Sequence, residues 1–451
     1  MNTRVNLLSG NILSSLTRLA FPIMTASLIQ MAYNLTDMIW IGRVGSGAVA
    51  AVGAAGMYMW LSNGISTLPR MGGQVMVAQS LGTDSRESAS AYAKNALQLG
   101  VMMAAVYGLI LLVFNRPLIG LFQLHGQPVI ADACVYLKIV GGGVVFSIPN
   151  QILTGLITAT GNSRTPLAAT TAGLVLNILL DPLLIFGFGP IPPMGVGGAA
   201  AATVLAQALV TGMFCLHIRR DDYLFAGIHF FSKPQGPYLK TIVRIGYPAA
   251  AQGMMFTAIS MVIARLIAGF GDGAVAVQKV GSQIESIAWM SADGFSAALN
   301  SFVAQNFGAG NAQRARKGYL TALRTAVVWG IFCTLLLVFL PGPIFRIFIQ
   351  EDKVLPLGVS YLIILGYSQI LSCVEIITGG AFSGFSKTVP PAVVGILFTA
   401  ARIPMARILS GTALGLDGVW WAITISSNLK GSILLIWMML FLRRQRKGEG
   451  L

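Results

Sequence analysis

Apolar stretches of about 20 residues recur along the whole chain, and they constrain the fold more than any other sequence feature. A helix needs about 20 apolar residues to cross the roughly 30 Å of hydrocarbon in a bilayer. Only 10% of the 451 residues are charged, whereas soluble domains average about 25%, and the mean hydropathy is +0.74. The sequence therefore predicts an all-α polytopic membrane protein.

The second half of the chain repeats the first at a constant spacing. RLAFP (18–22) matches RIGYP (244–248), and GSGAVAAV (45–52) matches GDGAVAVQ (271–278) at the same offset. A repeat of this length indicates two equivalent structural units. We predict twelve transmembrane helices, six in each unit, near 13–40, 48–82, 86–114, 131–158, 164–188 and 195–218, then near 241–268, 274–308, 312–340, 355–383, 388–412 and 416–442.

The predicted organisation is two pseudo-symmetric six-helix lobes. The N-lobe is 1–218, a polar cytoplasmic linker is 219–240, the C-lobe is 241–442, and a basic cytoplasmic tail is 443–451. With the N-terminus placed in the cytoplasm, only four basic residues fall in loops on the other side: Arg43, Arg116, Arg346 and Lys353. This positive-inside bias predicts that both termini are cytoplasmic. Parallel repeats with a cavity between them are typical of transporters.

Two aspartates interrupt the apolar segments of the first half. Asp37 lies in NLTDMIW and Asp181 in NILLDPLLIF. An ionisable residue at membrane depth is costly and is a functional candidate by default. Asn177 lies four residues before Asp181, on the same helical face, and the small residues before Thr203 permit close helix contact. These oxygen-bearing side chains suit a hard cation, or a proton held between two acids, and the alternative is that they only join helices.

The second half lacks a copy of Asp37, because Ile263 stands at the repeat-related position. It carries other charges within its predicted segments: Arg265, Lys279, Glu285, Asp293, Glu375 and Arg402. They could neutralise one another in a structural network, or they could line a cavity and touch substrate. Arg70 is the unusual cation of the first half, and we expect it to pair with an acid or to face a cleft.

Other classes of function find little support in the sequence. The four cysteines are scattered in apolar surroundings, and no histidine has a partner at a metal-ligand spacing. No nucleophile–base pair or metal motif characteristic of an intramembrane enzyme is present. The net charge of +15 fits basic cytoplasmic loops better than nucleic-acid binding. We therefore expect no enzyme activity, no cofactor and no nucleic-acid partner.

The chain resembles the multidrug and toxic compound extrusion (MATE) transporters over roughly residues 13–442. The motifs that carry the resemblance are FPIM in the first helix, NLTDMIWIGRVG at its end, VAQSLG and VAQNFGAGN, TATGNSRTP, and NILLDPLLIFG. Each motif is weak alone, and their order together with the repeat is specific. The resemblance implies the twelve-helix fold of this superfamily and export of drug-like, often cationic, compounds in exchange for H⁺ or Na⁺.

The resemblance is closer to the DinF-like branch than to the NorM-like branch, which places a glutamate in helix 7 that this chain lacks. It implies a coupling site for H⁺ or Na⁺ and a bend of helix 1 at Pro22. The coupling residues would be Asp37, Asn177, Asp181 and Thr203. Residues that could line a substrate cavity are Tyr33, Met31, Arg70, Glu285, Asp293 and Glu375.

The predicted protein is thus a multi-pass exporter in the inner membrane of a prokaryote that works by alternating access. Its expected partners are a small-molecule substrate and membrane lipid, and one chain with two lobes suffices as a monomer. Two alternatives stay open at this point. One is a flippase for a lipid-linked saccharide, and the other is an exporter of one specific metabolite.

Overall fold

The protein is described from a computed structural model that covers residues 4–122, 126–189, 192–226, 230, 232–348 and 354–446. About 86% of these described residues are helical. The first half contains α1 (Ile12–Val44), α2 (Ser46–Gly82), α3 (Arg86–Val113), α4 (Asn115–Gly120), α5 (Gln127–Ala159), α6 (Arg164–Phe186) and α7 (Gly195–Arg220). The second half contains α8 (Gly236–Ala268), α9 (Asp272–Gly308), α10 (Ala312–Phe339), α11 (Pro341–Arg346), α12 (Leu355–Gly366), α13 (Gln369–Gly384), α14 (Val389–Ala400), α15 (Arg402–Ser410) and α16 (Leu416–Arg446).

The predicted twelve membrane segments all appear as helices. Ten helices are long and apolar enough to cross a bilayer, and α14 with α15 forms one of them. The pair α12 and α13 adds an eleventh segment, which is bent by 49°. The twelfth is α9, which is less apolar because Lys279, Glu285 and Asp293 lie along it. The prediction of an all-α polytopic protein with twelve membrane helices is therefore confirmed.

The internal repeat is preserved helix by helix. Helices α2 and α9 each contain 37 residues, and α3 and α10 each contain 28. Helices α9, α10 and α11 begin at one constant offset of 226 residues from α2, α3 and α4 (46 to 272, 86 to 312, 115 to 341). The repeats diverge later, since α5 and α6 are continuous whereas their counterparts α12–α13 and α14–α15 are interrupted.

The chain forms two compact units. Unit 1 comprises Met1–Asn6 and Thr25–Ala250, and unit 2 comprises Leu7–Met24 and Ala251–Leu451. Within unit 1, α5 packs against α2, α3 and α7, and α6 packs against α7. Within unit 2, α13 packs against α9, α10 and α16, while α15 packs against α16. In unit 1, Gly143 faces Val204 and Gly173 faces Val210, so small residues let the helices approach closely, as is usual in membranes.

The units differ from the predicted lobes 1–218 and 241–442 in two segments. Residues 7–24 group with unit 2, because the Leu7 carbonyl accepts hydrogen bonds from Asn306 (3.0 Å) and from Arg314 (3.2 Å). Residues 219–250 group with unit 1, because Gly246 of α8 lies directly against the Leu68 carbonyl of α2. Of the predicted basic tail 443–451, the last five residues lie outside the described residues.

The contact between α8 and α2 gives a stability prediction. A methyl group at Gly246 would overlap the Leu68 carbonyl, so the two backbones must separate in Gly246→Ala. Overpacking of this kind costs about 1–3 kcal/mol, and we expect a lower unfolding temperature in detergent. Gly253→Ala is the matched control on the same helix, because its methyl group would meet open space and adds helix propensity worth up to about 1 kcal/mol. Equal unfolding temperatures for the two variants would contradict the close contact.

Candidate functional site

Unit 1 brings the four predicted coupling residues together. Asp37 is on α1, Asn177 and Asp181 are on α6, and Thr203 is on α7. Asp181 is fully buried and Asn177 is nearly so, while Asp37 and Thr203 are half-buried. The charges of Asp37 and Asp181 are close enough to act on one another. The four residues therefore lie in one partly buried site of unit 1.

Local sequence explains how α6 and α7 present these groups. Asn177 and Asp181 are one helical turn apart, and the Asn177 amide nitrogen donates a 2.8 Å hydrogen bond to one Asp181 carboxylate oxygen. Helix α7 approaches α6 closely because Gly198 lies against the Leu184 carbonyl. The backbone nitrogen of Met194, just before α7, also donates to the Leu184 carbonyl at 3.0 Å. The predicted close contact of the small residues before Thr203 is thus present.

Each carboxylate keeps one oxygen without a partner. Asp37 Oδ1 and Asp181 Oδ2 are both buried and accept no hydrogen bond from the described residues. A buried polar atom without a partner costs roughly 1–3 kcal/mol, and more when it is charged. Two such oxygens in one site are therefore unfavourable unless a proton or a cation binds them.

Two tyrosines complete the surroundings of the acids, and sequence analysis identified only one of them. Tyr33 lies one turn before Asp37 on α1, is buried, and lies beside the Thr203 side chain. Thr203 also donates to the carbonyl of Ala199 at 3.0 Å. Tyr136 of α5 is buried close to both Asp37 and Asp181. No sequence signal pointed to Tyr136, because its proximity depends on how α5 packs against α7.

The donor set fits either a proton or a small hard cation. Carboxylate, amide and hydroxyl oxygens are ligands of hard cations, and two neighbouring acids in a low dielectric can share one proton. Across the described ranges, no three His, Cys, Asp or Glu side chains gather as metal ligands. A Na⁺ ion at this site would therefore need the Asn177 and Thr203 oxygens as well as the two carboxylates.

The remaining first-half candidates are Pro22, Met31 and Arg70. Pro22 is in the interior of α1, which continues through it as one helix, so the bend stays a prediction. Met31 is half-buried on the same helix. Arg70 forms no salt bridge to a described residue, its Nε is buried without a hydrogen bond, and its side chain packs against Gly155 of α5. The expected pairing of Arg70 with an acid is therefore absent from the described structure.

The charges of the second half separate into two groups. Arg265, Lys279 and Asp293 are exposed, whereas the acids Glu285 and Glu375 are both close to the guanidinium of Arg402. Glu285 accepts hydrogen bonds from Tyr361 (3.3 Å) and Gln369 (3.2 Å). Two residues of this group lie at helix breaks, because Gln369 begins α13 and Arg402 begins α15.

Arg402 is buried and has only neutral hydrogen-bond partners among the described residues. Its Nε donates to Ser426 at 2.6 Å and one terminal nitrogen donates to Ser427 at 2.9 Å. Its guanidinium also faces the ring of Phe256, 5.9 Å from the centroid. Its charge is thus balanced at longer range by Glu285 and Glu375, without a direct ion pair to either.

Glu375 has a partner, Lys430, that was not predicted from the sequence. The Lys430 ammonium lies 3.0 Å from a Glu375 carboxylate oxygen, with both side chains largely buried. The available signal was a single lysine inside the apolar run of α16, in the stretch NLKGS. With Arg402, Glu285 and this pair, unit 2 contains two cations and two acids in a network whose formal charges cancel.

Known proteins resemble the chain over nearly its full length. The "Probable multidrug resistance protein NorM" of Thermotoga maritima is 27% identical and aligns with 94% of this chain and 91% of its own. The "FAD transporter" of Shewanella oneidensis is 26% identical, with 96% and 95% covered. These relatives do not separate the DinF-like from the NorM-like branch, so the predicted branch stays a prediction.

Solved structures and family comparison agree on the class. A crystal structure described as MATE in the bent conformation superposes with a TM-score of 0.92, covers 100% of this chain and 99% of its own, and is 23% identical, which shows the shared fold. The MatE family profile matches residues 22–183 and 248–408, one segment in each repeat. The family prediction is confirmed: the chain belongs to the MatE family of membrane transporters.

Proposed function

We propose that the protein is a secondary active antiporter that exports amphipathic, cationic organic compounds in exchange for H⁺ or Na⁺. The observation that carries the proposal is the pair of partnerless, buried carboxylate oxygens of Asp37 and Asp181. A site of this kind binds and releases a cation. The resemblance to multidrug resistance proteins supports the nature of the exported compounds.

The proposed cycle follows from an exchange between an ionised state of the acid site and a state loaded with H⁺ or Na⁺. With the acids ionised, the site is negative and the transporter favours binding of a cationic substrate from the cytoplasm. Loading of Asp37 and Asp181 from the outside removes that charge and favours release. Exchange requires that ion and substrate prefer different conformations, because a ligand with equal affinity for both conformations does not shift the equilibrium between them.

The chain's own residues have distinct tasks in this proposal. Asn177 holds one oxygen of Asp181 by its amide and leaves the other for the coupling ion. Tyr33 of α1 lies beside Thr203 of α7, close to the acids. Loading of the carboxylates can therefore change how α1 packs against α7. Pro22 lacks a backbone N–H and therefore weakens α1 at the place where the proposal puts its bend.

Transport by purified wild-type protein in liposomes tests the proposal. Ethidium is the probe, and a pH gradient and a Na⁺ gradient are imposed separately at matched membrane potential. We expect one of the two gradients to drive ethidium movement against its own concentration gradient, which identifies the coupling ion. Ethidium movement that neither gradient accelerates would contradict antiport. Protein-free liposomes provide the background.

A second candidate function is export of an anionic metabolite, and the buried guanidinium of Arg402, which has no direct ion pair among the described residues, favours it. A guanidinium whose hydrogen bonds go only to serine hydroxyls can bind a carboxylate or phosphate group of a ligand. The Shewanella relative is named a FAD transporter, and FAD carries a pyrophosphate. Gradient-driven movement of FAD, but not of ethidium, in the same liposomes would favour this candidate over the first.

The proposal also places the protein in the cytoplasmic (inner) membrane of a prokaryote, with both termini inside, working as a monomer without a cofactor. The bias of basic residues toward one side supports this orientation. Labelling of single cysteines introduced at exposed loop positions in intact cells would test it.

A further inference from the structure

Unit 2 contains a cavity of about 230 Å³ that is separate from both charged clusters. Its walls come from the first part of α1 and from α9, α10 and α13. Three aromatic rings contribute to them: Phe21 of α1, Phe295 of α9 and Trp329 of α10. Phe21 is largely exposed elsewhere on its surface, so the cavity is open beside this side chain.

The polar groups on the cavity wall are already occupied. The hydroxyl of Thr17 donates to the carbonyl of Leu13 at 2.9 Å. Those of Ser291 and Thr325 donate to carbonyls one turn earlier on their own helices, at 2.8 and 3.1 Å. The indole nitrogen of Trp329 donates to the carbonyl of Ala288 at 3.2 Å. No donor is left to hold a polar ligand.

The apolar lining and the volume of the cavity indicate which kind of ligand it can bind. A buried water needs about two to four polar partners, and an apolar cavity of about 150 Å³ stays dry and binds benzene. A cavity of about 230 Å³ has room for one or two fused aromatic rings. Aromatic walls favour such a ligand further, because ring pairs gain energy from edge-to-face and offset contacts.

We propose that this cavity is a second binding site, for an uncharged aromatic molecule of one or two fused rings. It is distinct from the acid site of unit 1, and none of its lining residues is charged. The occupant contacts α1 at Phe21 and Met24, on either side of Pro22. Met24 is held against α9 at this point, since a methyl group on Gly294 would lie 3.0 Å from its backbone nitrogen.

Because the site lies against α1, its occupancy is expected to regulate transport, an inference that rests on the proposed function. Helix α1 continues from this cavity to Asp37. A ligand packed against Phe21 and Met24 stabilises α1 in the conformation described here, so it opposes any bend at Pro22. Saturation of the site therefore slows transport without competing with the cationic substrate.

Binding can be tested directly and independently of transport, with 2-bromonaphthalene soaked into crystals of the purified protein. We expect an anomalous bromine peak between Phe295 and Trp329, and a saturable rise of the unfolding temperature in detergent. Ala326→Leu fills the cavity from α10 and removes both signals. Val328→Leu is the matched control, because Val328 lies on the same helix with an exposed side chain, and it retains both.

Any of the following results would contradict the proposed aromatic binding site. Absence of the peak from wild-type crystals, or ordered water in its place, excludes an apolar ligand site. A bromine peak from a phospholipid with brominated acyl chains, with none from 2-bromonaphthalene, assigns the cavity to lipid instead. If Ala326→Leu lowers the unfolding temperature by itself, Ala292→Leu fills the same cavity from α9. Because binding is read from diffraction, a failure of ethidium transport would leave this result unaffected.

Discussion

Liposomes containing Asp37→Asn are expected to lose all gradient-driven ethidium transport, down to the level of protein-free liposomes. Asparagine keeps the shape of the side chain but cannot be ionised, so the site loses the charge that attracts a cation or a proton. Asp37 Oδ1 has no hydrogen-bond partner among the described residues, so the substitution breaks no contact of that oxygen. The fold is expected to stay intact, and the effect appears in the coupled rate rather than in the unfolding temperature.

The matched control for this prediction is Asp132→Asn, the same substitution at an exposed acid of α5. We expect wild-type transport from it under the gradient that drives the native protein. If Asp37→Asn also transports normally under that gradient, the coupling site in unit 1 is wrong. Glu285 and Glu375 of unit 2 would then be the next acids to test.

The second large effect is expected from Lys430→Met, as a loss of stability. The substitution leaves the Glu375 carboxylate largely buried without its partner at 3.0 Å. Breaking a buried ion pair by removing one member costs about 3–5 kcal/mol. It also leaves Arg402 alone against two acids. Reversible unfolding in detergent with increasing SDS measures the change in the free energy of unfolding.

The double variant Lys430→Met/Glu375→Gln distinguishes the cause. It removes both charges together, and Arg402 and Glu285 still balance one another. We expect it to recover most of the lost stability, as replacing both members of a buried pair often does. Lys317→Met at an exposed position of α10 is expected to have little effect. A double variant as unstable as Lys430→Met would show that packing of Lys430, rather than its charge, is what matters.

The sequence predicted the helices well because the signals for a membrane helix are local. Length and apolarity of each segment suffice to place a helix in a bilayer, and the repeat predicted equal helices in the two halves. The ends of α2 and α3 recur in α9 and α10 at one constant offset. The breaks in α12–α13 and α14–α15 were not predicted, because their stretches are as apolar as those of continuous helices.

The candidate site of unit 1 was predictable for the same reason. A carboxylate inside an apolar run is conspicuous whatever its neighbours, so Asp37 and Asp181 could be identified without a structure. The pairing of Asn177 with Asp181 followed from helical spacing, and the structure contains that hydrogen bond. The role of these residues in ion coupling stays a prediction until the transport experiments are done.

Length, hydropathy and repeat spacing are properties of the chain itself, and they determined the membrane class, the twelve helices and the acids worth testing. Only the tertiary structure decided which distant residues meet. Helix packing brings Tyr136 to the acids, pairs Lys430 with Glu375, and buries Arg402 while Arg265, Lys279 and Asp293 stay exposed. It also leaves the aromatic cavity beside Phe21. These contacts depend on the rotation and separation of whole helices, which no local pattern of apolar residues specifies.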